Sequence, residues 1–332
     1  MSEALTIPAP NDRLLARFAW FAVFYNVLVI VWGAMVRATG SGAGCGNHWP
    51  LCNGQVIPVS PGFHTIIEFT HRMMTGGSTL IVVALLVWTF RATAKGHAAR
   101  WFAIASAALL VNEAFLGALL VKLGYVTGNQ SPGRWAMLSI HLSNTLLLMA
   151  ALTLTARFLS AGDWQPWAGL QRARGFGWAV AGLAATIGVG VSGSMAALGD
   201  TLFPATSLWA AYVQDFAASS PWLLRLRLVH PVSALVAAVF VIWLVGRARR
   251  SADHDAGVAR LVKLVLVLLG VQFALGIDDV LLLAPAWMQL LHLLGADLYW
   301  VALVLLAAEM VWPVPVDTEA SADLGAPART LA

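Results

Sequence analysis

Long apolar runs separated by short polar segments dominate the pattern of this chain. An α-helix needs about 20 mainly apolar residues to cross a hydrocarbon core about 30 Å thick. Eight runs reach that length, and segments rich in glycine, proline or charge separate them. They cover residues 17–38, 65–90, 101–122, 135–157, 176–198, 223–246, 260–282 and 287–312. The pattern therefore predicts an all-α membrane protein with eight transmembrane helices.

Composition supports lipid as the surrounding medium. The 332 residues are 59% hydrophobic and 11% charged, whereas a soluble domain carries roughly a quarter charged residues. The net charge of +4 comes without a basic patch that contains aromatic residues, so nucleic acid is not expected as a partner. The first 16 residues lack a short apolar core with a cleavage site, and we expect no removable signal peptide.

Basic residues predict the orientation of the chain. The segments 41–64, 123–133, 199–222 and 278–287 contain no Lys or Arg, and the segments on the opposite side contain most of the cations. Because cytoplasmic loops are enriched in Lys and Arg, both termini are predicted to be cytoplasmic, in a bacterial plasma membrane. Four arginines near the outer helix ends are exceptions: Arg37, Arg134, Arg225 and Arg227.

Sequence features recur in the same order about 155 residues apart. Gly40-Ser41 is matched by Gly193-Ser194, and the segment 113–117 by 272–276. Two predicted helices of each half carry a histidine near the outer end. An even number of helices in each repeat implies that the halves are related by an axis along the membrane normal. The repeat predicts two pseudo-symmetric four-helix bundles.

The predicted organisation follows from these runs. An N-terminal cytoplasmic segment, 1–16, precedes the first bundle, 17–160. A cytoplasmic linker, 161–175, leads to the second bundle, 176–312, and a disordered cytoplasmic tail covers 313–332.

Four of the eight histidines lie at similar depth inside predicted helices, toward the outer side: His71, His141, His230 and His292. Ionisable side chains are costly in lipid and usually face the bundle interior with a function. A structural zinc site gathers four ligands, whereas the repeat predicts two separate histidine pairs. Paired histidines on facing helices of a bundle suit a haem, although hydrogen-bonded structural histidines are the alternative. The four outer arginines could contact the propionates of such a haem or simply reach the lipid interface.

Only the first half carries a carboxylate beside its histidine. Glu68 precedes His71 by three residues and so shares its helical face, and it is predicted to be catalytic. A structural ion pair with Arg72 is the alternative. The only cysteines, Cys45 and Cys52, lie in the first outer loop, where an oxidising environment favours a disulfide. Free thiols, or half of a metal site with His48, are the alternatives.

At the level of motifs, the segment 33–54 and the run from Ile67 to Arg72 resemble the haem A synthase family, over roughly residues 15–312. The resemblance implies oxidation of a methyl group of haem O to the formyl group of haem A by successive hydroxylation. It implies that His230 and His292 hold a haem b cofactor that relays electrons, and that His71 and His141 face the haem O substrate. Glu68 matches the essential carboxylate of the family, and Cys45 and Cys52 match its loop cysteines.

The family resemblance also implies partners and leaves competitors. Haem O synthase, assembly factors of the haem–copper terminal oxidase and membrane lipid are the expected partners. Some members carry a second cysteine pair in the loop equivalent to 199–222, and this chain does not. A di-haem electron-transfer cytochrome and a haem transporter are the competing functions. A prenyltransferase is disfavoured because the only adjacent acidic pair, Asp278-Asp279, is short and predicted to lie in a loop.

Overall fold

The computed structural model describes residues 10–161, 176–251 and 256–312. Within these ranges, eight long helices are apolar enough to cross a membrane, so the prediction of a multi-pass all-α membrane protein is confirmed. They are α1 (Pro10–Ala38), α2 (Phe63–Ala92), α3 (Ala98–Lys122), α4 (Pro132–Ser160), α5 (Phe176–Leu202), α8 (Val229–Ser251), α9 (Ala256–Leu281) and α10 (Ala286–Val311). The predicted tail, 313–332, and nearly all of the linker, 161–175, lie outside the described residues. So do residues 1–9 of the N-terminal segment.

Each half closes into a four-helix bundle. In the N-terminal half, α1 packs on α2, α2 on α3, α3 on α4 and α4 on α1. In the C-terminal half, α5, α8, α9 and α10 follow the same circuit. The histidine-bearing helices α2 and α4 therefore occupy opposite corners of one bundle, and α8 and α10 opposite corners of the other. Apolar side chains such as Leu80, Val111 and Val236 are exposed on the outer surface, as helices in lipid require.

The two bundles meet through α1 and α4 on one side and α5 and α10 on the other. Under the repeat, α1 with α10 is equivalent to α5 with α4, and both pairs are in contact. This symmetry fits an axis along the membrane normal. Polar contacts fasten the interface: the Trp300 indole N–H donates to the Leu146 carbonyl at 2.8 Å, and Arg157 pairs with Glu309 at 2.7 Å.

Four details of the sequence interpretation are wrong. The predicted outer loop 199–222 contains the end of α5, a short helix α6 (Leu208–Phe216) and the start of α7 (Trp222–Arg225), which a 3₁₀ turn joins to α8. Asp278 and Asp279 lie in the last turn of α9 rather than in a loop. The helix α1 begins at Pro10, inside the segment 1–16 that was predicted to precede the bundle.

The fourth error concerns the repeat register between α1 and α5. Gly40 lies beyond the end of α1 with φ of 65°, whereas Gly193 lies within α5. The structural counterpart of Gly193 is Gly33, because each faces the histidine of the following transmembrane helix. The two glycine-serine pairs are not structurally equivalent. Matching them displaced the predicted alignment of α1 with α5 by about two turns of helix.

Candidate functional site

The clearest arrangement for a metal-bound cofactor is the histidine pair of the C-terminal bundle. The His230 ring on α8 and the His292 ring on α10 have centroids 6.3 Å apart and planes at 82°. Two metal–nitrogen bonds of about 2 Å each, together with the radii of the two rings, account for this separation. Nδ1 of His292 is buried without a hydrogen-bond partner. The pair therefore fits one haem iron held between two imidazoles.

The N-terminal bundle repeats this placement with His71 on α2 and His141 on α4. Both rings are partly buried, and they are close enough to interact electrostatically. Nδ1 of each ring is buried without a hydrogen-bond partner. The structure thus brings the four predicted histidines into two pairs, one inside each bundle, and none of the four points outward to lipid as a fully exposed side chain.

A glycine on the neighbouring odd-numbered helix stands beside each histidine. A Cβ built on Gly193 would lie 2.9 Å from Cε1 of His230, and one built on Gly33 would lie 3.0 Å from Cε1 of His71. Gly276 faces His292 at 3.3 Å and Gly117 faces His141 at 3.9 Å by the same measure. These glycines leave space that a side chain would take from the imidazoles, most tightly at Gly193 and Gly33. The sequence interpretation did not assign them to the site.

Glu68 is buried and held on both carboxylate oxygens. Arg72 Nη2 donates to Oε1 at 2.5 Å, and the backbone N–H of Cys45 donates to Oε2 at 2.7 Å. The ion pair with Arg72, which was the structural alternative, is therefore formed. A carboxylate offers about four lone-pair positions, so each oxygen keeps one for a substrate proton or a water. Both the pair and a catalytic role are compatible with this geometry.

The first outer loop is fastened to α2 around this carboxylate. Cys45 and Cys52 form a disulfide, as predicted, so they are neither free thiols nor half of a metal site. Arg72 donates to the carbonyl oxygens of His48 at 2.8 Å and Leu51 at 2.6 Å, both inside the disulfide ring. The Thr65 hydroxyl donates to the Gly44 carbonyl at 2.8 Å. The loop and the carboxylate therefore form one connected network.

The four arginines proposed for propionates all have protein partners. Arg37 donates to Thr201 and Gln289 of the other bundle, and Arg134 donates to the Asn129 carbonyl while its Nε is buried without a partner. Arg225 donates to the carbonyls of residues 217 and 218. Arg227 pairs with Asp200 and Asp215. Of these four arginines, only Arg134 has a buried side-chain donor without a partner, and the propionate role of all four stays a prediction.

The sequence interpretation missed a second carboxylate in the N-terminal bundle. Glu113 on α3 lies 3.5 Å from Nδ1 of His141 and accepts hydrogen bonds from Asn144 at 2.5 Å and from the Thr145 hydroxyl. Its repeat equivalent is Gln272, a neutral amide. The sequence alone could have indicated Glu113, because Glu68 was selected for the same reason: the equivalent position in the other half has no carboxylate.

Two fused four-helix bundles, each with a histidine pair on diagonal helices, define a class of duplicated membrane proteins suited to holding haem. The family model described as cytochrome oxidase assembly protein matches residues 16–304. The chain belongs to that family.

Similar proteins carry two different names. A Thermus thermophilus protein named protoheme IX farnesyltransferase is 44% identical over 306 residues, which is 90% of this chain and 48% of that protein. Proteins named heme A synthase from Exiguobacterium sp. and Shouchella clausii are 34% and 36% identical, over 46% and 40% of this chain. The matches cover 48% and 41% of those two proteins. The chain thus spans about half the length, or less, of these relatives.

Proposed function

We propose that the protein is a haem A synthase, an oxidoreductase that converts a methyl group of haem O to the formyl group of haem A. The observation that carries the proposal is the difference between the two histidine sites. Among the described residues, only the N-terminal site has a carboxylate in contact with a histidine, Glu113 at 3.5 Å from Nδ1 of His141, and a buried carboxylate, Glu68, three residues before the other histidine. Two equivalent sites would suit electron transfer alone. Carboxylates placed next to the histidines of one half suit a division into a site for chemistry and a site for a resident cofactor.

In this proposal His230 and His292 hold haem b, which supplies one-electron transfer when bound. His71 and His141 orient the substrate haem O in the other bundle. Glu68 faces the substrate with one lone pair free on each oxygen. It accepts a proton from the reacting methyl group or stabilises positive charge that develops there. Arg72 and the Cys45 N–H fix the carboxylate in place, so that little reorganisation accompanies the reaction.

The test compares purified full-length variants supplied with haem O. We expect Glu68→Gln to retain haem b and to make no haem A, measured by extraction and chromatography of the pigments. Asp278→Asn, which changes an exposed carboxylate of the other bundle, is the matched control and keeps the parent rate. Haem A formation at the parent rate by Glu68→Gln would refute the catalytic role.

The cofactor assignment has its own measurement. We expect His292→Ala to lose the absorption spectrum of low-spin haem b, because one axial ligand is gone. An unchanged spectrum would reject the assignment. A di-haem electron-transfer cytochrome, or a haem transporter, would return supplied haem O unmodified in all variants.

The name of the Thermus relative favours farnesyl transfer as a second candidate. The aligned region is 48% of that relative, so more than half of it lies outside the match and could carry the named activity. The histidine pairs described above favour haem as the bound group. Incubation of the protein with protohaem and farnesyl diphosphate distinguishes the two, because only a farnesyltransferase would produce haem O.

The surroundings follow from the same proposal. Haem O synthase would supply the substrate, and assembly factors of a haem–copper terminal oxidase would receive the product. The protein would lie in the bacterial plasma membrane with both termini in the cytoplasm and the histidines toward the outer side. Accessibility labelling of single cysteines introduced near Pro10 and in the loop after α2, in intact cells, tests this orientation.

A further inference from the structure

The two histidine pairs differ in the group that lies beside Nδ1 of one of their imidazole rings. In the C-terminal bundle, the Ser192 hydroxyl lies 3.2 Å from Nδ1 of His230, and it is also bonded to Ser233 at 2.8 Å. In the N-terminal bundle, the supported ring is His141, and the supporting group is the carboxylate of Glu113 at 3.5 Å from Nδ1. A neutral hydroxyl therefore faces one ligand and an anion faces the other.

Glu113 is itself firmly placed. The Asn144 amide donates to Glu113 Oε2 at 2.5 Å and to the Leu109 carbonyl at 2.9 Å, and its oxygen accepts from Asn112 at 2.7 Å. Both N–H donors of that amide and one lone pair of its oxygen are therefore used on the α3 side. The Thr145 hydroxyl donates to Glu113 Oε1. Within the described ranges, no Lys or Arg forms an ion pair with Glu113. Its carboxylate contacts only neutral donors and His141 there.

The equivalent positions of the C-terminal bundle lack this arrangement. Gln272, Gly295 and Ala296 stand where the N-terminal bundle has Glu113, Asn144 and Thr145. Nε2 of Gln272 is buried without a hydrogen-bond partner, and Nδ1 of His292 likewise. The carboxylate, its amide anchor and its hydroxyl donor are therefore present or absent together, which indicates one functional unit rather than scattered polar residues.

We propose that Glu113 is a positioning residue that orients His141 toward the substrate haem and strengthens it as a ligand. A carboxylate on the second nitrogen of a ligating histidine fixes the ring and raises its basicity as a ligand. The contact of 3.5 Å is too long for a well-formed hydrogen bond, so the proposal requires the ring and the carboxylate to move closer when haem O binds. This inference rests on the proposed function for the identity of the ligand, haem O.

The experiment is an anaerobic titration of haem O into the full-length protein that already contains haem b. Without turnover, binding is measured independently of haem A formation. We expect Glu113→Gln to weaken haem O binding about 10- to 100-fold and to change the electron paramagnetic resonance spectrum of the added haem. The spectrum of the resident haem b stays unchanged. Thr145→Val, which removes one donor to Glu113, shifts both readouts in the same direction by less.

Gln272→Ala is the matched control and leaves the haem O affinity as in the parent. Parental affinity together with a parental spectrum in Glu113→Gln overturns the proposal. Loss of both haems together with a lower melting temperature also overturns it, because that result describes a structural residue. If the parent binds haem O and makes no haem A, the proposed function fails and the positioning role of Glu113 still stands or falls by the titration.

Discussion

Replacement of Gly193 by alanine tests the histidine geometry most directly. The added Cβ would lie 2.9 Å from Cε1 and 3.2 Å from Nδ1 of His230. Ordinary contacts begin at 3.4 Å, so the ring must move by about half an ångström, which is the tolerance of a preorganised site. Overpacking of this kind costs about 1–3 kcal/mol. If that cost falls on the ligand, the affinity for haem b falls about 5- to 150-fold.

Apart from the contact with His230, the same substitution should not destabilise α5. Gly193 lies inside α5, and alanine is favoured over glycine in a helix interior by about 1 kcal/mol. The substitution is therefore expected to stabilise the helix and, at the same time, to lower the affinity for haem b. Haem b content is measured by the pyridine haemochrome spectrum per mole of purified protein, and thermal stability is measured separately.

A graded series of glycines makes the reasoning refutable. Gly117→Ala places its Cβ 3.9 Å from His141, in ordinary contact, and should leave haem binding as in the parent. Gly33→Ala, at 3.0 Å from His71, should weaken the binding of added haem O and spare haem b. Equal haem b affinity in Gly193→Ala and Gly117→Ala would show that these glycines do not shape the histidine sites.

Two further predictions concern the bundle interface and the outer loop. Arg157→Ala leaves Glu309 without its cation in a largely buried contact, and we expect a lower melting temperature. Adding Glu309→Ala in the same chain should partly restore it. If the two substitutions lower the melting temperature additively, the ion pair does not stabilise the interface. Gly44→Ala would place a Cβ against the backbone of His64, and we expect it to displace the loop from α2 and lower haem A formation while haem b is retained. Gly62→Ala, with nothing nearby, is the control, and equal activity of the two variants would contradict the prediction.

The number of transmembrane helices and the histidine pairs could be predicted because both depend on strong and local signals. Apolar runs must span a fixed hydrocarbon thickness, so their ends were predicted to within about two turns of helix. An imidazole inside such a run has to face the protein interior. Applied to a duplicated sequence, these two constraints predict that His230 and His292 face each other. No knowledge of contacts between helices is needed.

Short elements and side-chain partners could not be predicted in this way. The helix α6 is too short and too amphipathic to stand out from a loop, and its aromatic residues Trp209 and Tyr212 remain exposed. Arg37 lies near the outer end of α1, and nothing in its local sequence indicates that it donates to Gln289 in the last helix. Contacts between the halves depend on how the bundles pack, which periodicity does not encode.

The repeat also shows how the C-terminal half holds its outer segment without a disulfide. Glu68 on α2 and Arg227 before α8 are equivalent positions, three residues before a histidine. Glu68 binds the disulfide loop through the Cys45 N–H, and Arg227 binds α6 through Asp215 at 2.6 Å. Each half therefore uses this position to fasten its outer segment over its histidine site. In the C-terminal half an ion pair performs that task, so the outer segment 199–222 is attached to the bundle without cysteines.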